Sequence, residues 1–173
     1  MTQSDSNMAS GPTILGIDPG YGRLGWAIGQ KSGAGWSQVE LGCIQTPKTQ
    51  NLFERYLVLE EELQQGIEQY QPQEAAIETL FFSKNRKTAM EVSESRGVVL
   101  ACLIRNKLKI SQYAPNQIKQ TVTGYGRADK KAVEKMIRME FKLRNKKILD
   151  DAIDALAIVL THTIQSKNQN FYA

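Results

Sequence analysis

The stretch Thr13–Gly20, TILGIDPG, constrains the fold more than any other part of the chain. Three of the four residues from Ile14 to Ile17 are apolar, as in a buried strand, and Pro19-Gly20 is a strong turn signal. Asp18 therefore stands where a buried strand gives way to a turn, a place where functional groups are commonly mounted on a rigid scaffold. A bare carboxylate at the edge of a buried sheet is costly or is forced to take up a proton. The partners of Asp18 must come from elsewhere in the chain.

The pattern that follows predicts a mixed α/β domain. Leu24–Ile28 reads as a second strand and Trp36–Gln45 as a third, giving an antiparallel meander with a turn at Gly33 to Gly35. From Leu52 to Tyr70 the residues Leu52, Tyr56, Leu59, Leu63, Ile67 and Tyr70 recur at steps of three or four, which predicts an amphipathic helix covering one side of the sheet. Glu74–Glu78 reads as a central strand ending in an acid. A helix is expected from Ser83 to about Leu108, with Ser83 or Asn85 at its start and apolar residues on two faces: Val92, Val99 and Leu103 on one, and Met90, Gly97, Ala101, Ile104 and Leu108 on the other. Such a helix is covered on two sides, within the domain or by a second copy of the chain. A strand at Lys109–Ala114, a short helix at Pro115–Val122, a basic helix at about Lys130–Phe141 and a last helix at Asp150–Gln165 complete the order βββαβαβααα. That is the order of a ribonuclease-H-like sheet: five mixed strands, a β1-β2-β3 meander and then parallel strands, flanked by helices.

A chain of 173 residues with 41% hydrophobic content suits one globular domain. It is expected at residues 13–166, between a loose N-terminal extension at residues 1–12 and a C-terminal tail at 167–173. The apolar runs are too short to span a bilayer and the polar start does not read as a signal peptide, so the expected location is cytoplasmic. Cys43 and Cys102 lack metal-ligand or CxxC spacing and read as two buried, reduced thiols. From Lys119 to Lys147 ten Lys/Arg face three acids, while the rest of the chain carries twelve basic and fifteen acidic residues. Positive charge gathered into one segment points to a polyanion-binding face.

Asp18 and Glu78 each end a strand, and Asp151 and Asp154 lie on one face of the last helix. If the strands are neighbours and the helix start crosses their tips, four carboxylates converge. Oxygen donors without His or Cys suit Mg²⁺ or Mn²⁺, and two such ions can promote in-line hydrolysis of a phosphodiester. Spacing leaves Asp150 as an alternative to Asp151, and either can also serve the helix dipole. His162, the sole histidine, reads as a satisfied structural residue in a buried helix.

Five blocks in chain order resemble those of the bacterial RuvC Holliday-junction resolvases: ILGIDPG, AAIETLFFSKN, SESRGVVLA, YAPNQIKQTVTGYGRADK and DAIDALAIVLTH. The resemblance spans about residues 13 to 165. It implies a ribonuclease-H-like homodimer that resolves four-way DNA junctions by paired symmetric nicks, in recombination and repair, leaving 5′-phosphate and 3′-hydroxyl ends. It also implies Mg²⁺, with Mn²⁺ an alternative and two ions per site, and a RuvA–RuvB branch-migration complex as partner. By matching position the catalytic and metal-binding acids are Asp18, Glu78, Asp151 and Asp154. The aromatic at the junction centre is Phe81, with Phe82 adjacent, and the phosphate-contacting lysines are Lys119 and Lys130. Arg127 and Lys131 of the same basic segment are further candidate DNA contacts, and the two-faced helix matches the dimer interface. The alternatives are a nuclease of the same fold acting on RNA or RNA–DNA hybrids, a non-catalytic DNA-binding relative, and a sugar-kinase or actin-like ATPase, for which the chain is too short.

Overall fold

The computed structural model describes residues 10–80, 88–143 and 147–166. Its five-stranded sheet has the order β3-β2-β1-β4-β5. Strands β1 (Thr13–Asp18), β2 (Arg23–Ser32) and β3 (Gly35–Gln45) form the expected antiparallel meander. Strand β4 (Glu74–Glu78) adds in parallel to β1, and β5 (Lys109–Tyr113) in parallel to β4. Strand β2 runs further than its apolar stretch, because the polar residues Gln30, Lys31 and Ser32 still pair with the start of β3. Gly11, inside the N-terminal extension, is hydrogen-bonded through its N–H to the Lys31 carbonyl at 2.8 Å.

Alternation along the strands sends two sets of side chains to two layers. Leu15, Ile17, Leu24, Ile28, Ala75 and Ile77 meet helices α1 (Leu52–Tyr70) and α2 (Ala89–Arg105). Ile14, Ala27 and Ala76 meet α5 (Asp150–Gln165), which is backed by α3 (Pro115–Thr123) and α4 (Lys130–Glu140). Helix α1 buries Tyr56, Leu59, Leu63 and Ile67, each large side chain worth about 1.5–3 kcal/mol when fully removed from water. Its start is fixed by a capping box: the Asn51 side chain accepts from the Glu54 N–H while Glu54 accepts from the Asn51 N–H, both at 3.0 Å.

Helix α2 ends at Arg105, earlier than its apolar pattern suggests. Lys107 turns left-handed at φ 58°, its N–H bonds the Ile104 carbonyl, and the Leu108 N–H reaches back to Leu103. This is a Schellman closure with lysine in the place glycine usually takes. The expected start of this helix, with Ser83 and Asn85, lies outside the described residues. Of its two apolar faces, Val99, Cys102 and Leu103 are buried against the sheet, whereas Met90 and Ile104 are 71% and 65% exposed.

Helix α5 is buried from Ala152 to His162 except at Asp154. His162 is satisfied as expected, with Nδ1 2.8 Å from the Tyr113 hydroxyl and Nε2 2.8 Å from Glu74 Oε2. Cys102 is buried, but Cys43 is only half-buried, since β3 is the edge strand of the sheet. Among the described residues no helix is long and apolar enough to cross a membrane.

Candidate active site

Parallel pairing of β1 and β4 matches Ile17 with Ile77, so Asp18 and Glu78 occupy the next register position on adjacent strands. Both side chains therefore leave the same edge of the sheet on the same face, the one that α5 covers. Helix α5 reaches that edge because glycines line its path. A Cβ at Gly25 would lie 1.9 Å from the Asp151 carbonyl oxygen, and one at Gly16 2.4 Å from that of Ala155. With hydrogen there instead, the first turn of α5 rests directly on β1 and β2 and carries Asp151 and Asp154 to Asp18 and Glu78.

The electrostatics record this convergence. Burial, followed by the charges of Glu78, Asp154 and Asp151, pushes Asp18 up to about 8, with Lys130 opposing. Burial and then Asp154 push Glu78 up to about 7, with Lys119 opposing. Burial also raises Asp154, against the pull of Lys130. Asp150 is not among the charges felt by Asp18, and its side chain is 65% exposed against 19% for Asp151. Geometry therefore groups Asp151, rather than Asp150, with the strand acids.

Three aspartates of α5 are engaged by protein cations. Lys130 Nζ lies 3.1 Å from Asp154 Oδ2 and 3.4 Å from Asp150 Oδ2. Burial works against the Lys130 charge, but these carboxylates outweigh it and raise its pKa. Arg23 Nε lies 3.2 Å from Asp151 Oδ2, yet its N–H is not aimed at the oxygen, which stays buried without a hydrogen bond. With the side chains so placed, no three acid, histidine or cysteine side chains among the described residues are gathered as a metal cage. The donor chemistry nonetheless fits a hard divalent cation. Four carboxylates repel one another, three of them are driven towards protonation, and one buried oxygen has no hydrogen-bond donor.

Lys119, on α3, and Lys130, at the first position of α4, line a cleft of about 220 Å³ together with Glu78 and Asp154. Arg127 and Lys131 are exposed beside it in sequence. Phe81 and Phe82 lie outside the described residues. The sequence pattern did not single out Arg23, which stands outside the basic segment, or the glycines beneath α5. The signal for the latter was present, since Gly25, Ala27 and Gly29 alternate along one strand, and glycine inside a strand marks close backbone approach. Against the β1–β2 turn, Arg55 donates to Thr46 Oγ1 at 2.8 Å and stacks over Tyr21 at 4.8 Å from the ring centre.

The family described as crossover junction endodeoxyribonuclease RuvC matches residues 14–162. A crossover junction endodeoxyribonuclease RuvC from Petrotoga mobilis is 46% identical over 86% of this chain and 91% of its own. One from Thermosipho melanesiensis is 42% identical over 89% and 98%. Among solved structures, Thermus thermophilus RuvC in complex with Holliday junction substrate superposes with a TM-score of 0.81 at 28% identity, covering 91% of this chain and 96% of that one.

Proposed function

The chain belongs to the RuvC family of crossover junction endodeoxyribonucleases and is a Holliday-junction resolvase, and we propose that it resolves junctions by paired symmetric nicks made at the four-acid site. The observation that carries this assignment of the site is the shared register of Asp18 and Glu78 under the first turn of α5. Asp18, Glu78, Asp151 and Asp154 would hold two Mg²⁺ ions, or Mn²⁺ in their place. Bound there, such ions supply activation of water and stabilisation of the departing 3′ oxygen, so the products carry 5′-phosphate and 3′-hydroxyl ends.

The remaining residues bind and orient. Lys119 and Lys130 flank Glu78 and Asp154 at the cleft, in position to take the phosphates on either side of the scissile bond. Arg127 and Lys131 extend the basic surface and add affinity independent of sequence. Phe81, three residues after Glu78, is proposed to stack on a base at the junction centre. The exposed stripe of Met90, Gly97, Ala101 and Ile104 on α2 is proposed as a homodimer face. It would set two sites about an axis that matches the symmetry of the substrate. A cytoplasmic role in recombination and repair, beside a RuvA–RuvB branch-migration complex, accords with this reading.

The test is incubation in Mg²⁺ with a mobile four-way junction, an RNA–DNA hybrid and a linear duplex, followed by mapping of the cuts. Paired symmetric nicks on the junction alone are expected, and Asp18→Asn should bind the junction without cutting it. Cleavage of the hybrid in preference to the junction, or full cutting by Asp18→Asn, would overturn the proposal.

A further inference from the structure

Two side-chain cations reach the α5 aspartates from opposite sides. Arg23, the first residue of β2, comes from beyond the turn that follows Asp18, and Lys130, the first residue of α4, comes from the side of the basic segment. The aspartates are rooted on a buried helix and are 19% and 31% exposed, whereas the Arg23 and Lys130 side chains are 53% and 56% exposed. The cations are therefore the movable partners in both pairs. Neither pair is deeply buried, and such pairs are weak enough to be exchanged for another anion. A polyphosphate backbone crossing the site offers that anion to both at once, and arginine takes phosphate well through its planar fork of donors.

We propose that Arg23 and Lys130 are placeholder cations: in the DNA-free protein they occupy Asp151 and Asp154, and backbone phosphates draw them away so that the four acids can close on divalent metal. Arg23 is thus a phosphate-contacting and positioning residue on the β2 side of the scissile strand, facing Lys119 and Lys130 on the other. Metal and junction then bind with positive coupling, and by linkage each raises the affinity of the other by the same factor. The arrangement holds the free enzyme in its metal-poor form. The inference rests on the four-acid metal site proposed above.

The test measures Mn²⁺ binding to the DNA-free protein by calorimetry and by the paramagnetic resonance signal of free Mn²⁺. Arg23→Gln, Lys130→Gln, Arg23→Lys and Asp18→Asn are compared with the unaltered chain, and thermal melting confirms that each is folded. Loss of the exposed pair in Arg23→Gln or Lys130→Gln is expected to tighten Mn²⁺ binding about two- to five-fold. Arg23→Lys, which keeps the charge, should return it towards the original value. Binding that is weakened by Asp18→Asn but unchanged or weakened by both glutamine variants would overturn the placeholder role and leave the metal site standing. Binding indifferent to Asp18→Asn would overturn the metal site, and the placeholder role with it.

Discussion

Asp18 and Glu78 hold protons at pH values where the unfolded chain has already released them. Unfolded carboxyl groups titrate near about 4, whereas in the folded protein burial and repulsion place Asp18 at about 8 and Glu78 at about 7. Between these limits the folded state binds more protons than the unfolded one, so stability must fall as pH rises. In a metal-free protein the contribution of these two groups is whole below about pH 4 and is lost through pH 8. We expect urea unfolding in chelator to show a loss of about 2 kcal/mol between pH 5 and pH 8. Asp18→Asn should remove much of that slope, and added Mg²⁺ or Mn²⁺ should reverse it. A profile that is flat or rises with pH in the unaltered, metal-free protein would contradict this account of the site.

At the scale of elements, helix α5 delivers half of the acids, and it can do so only because β1 and β2 carry glycine beneath it. Adding a methyl group at Gly25 would place a carbon inside the Asp151 carbonyl, so Gly25→Ala must lift the first turn of α5 or bend β2. The expected cost is about 1–3 kcal/mol in urea unfolding. Junction cleavage, which depends on the placement of Asp151 relative to Asp18, should fall further, by about 100-fold in single-turnover assays. Cleavage at the unaltered rate would show that Gly25 does not set the site. Much of the element plan was legible because local chemistry and tertiary packing agree. Helix α1 carries its capping box and its apolar spacing together, and β4 is a short apolar run closed by an acid. The end of α2 was not legible, because a left-handed lysine at position 107 bears none of the marks of a helix stop. Asp18, Glu78, Asp151 and Asp154 could be read as separate acids, but their proximity depends on β1–β4 register, which composition and spacing do not encode. Arg23 was passed over because its single charge lies near an aspartate more than a hundred residues away in the chain.

At the scale of the whole molecule, the outer face of α2 is the feature that a single chain leaves unexplained. Met90 and Ile104 stand more than half exposed on one stripe, and a contiguous apolar face of this kind marks an interaction surface. Ile104→Glu should shift sedimentation from dimer to monomer and abolish paired nicking, with little change in the melting of the fold. A variant that remains dimeric would place the interface elsewhere. The opposite end of α5 carries a different consequence. His162 is joined to Glu74 at one end of β4, while Asp154 stands near Glu78 at the other. Eight helical residues advance about 12 Å, and four strand residues span about 13 Å. Helix and strand thus keep the same measure between two fixed points, as a rod is kept from turning by a dowel at its far end. The imidazole at position 162 sets the rotational phase at which the aspartates meet the sheet, though it never approaches the chemistry.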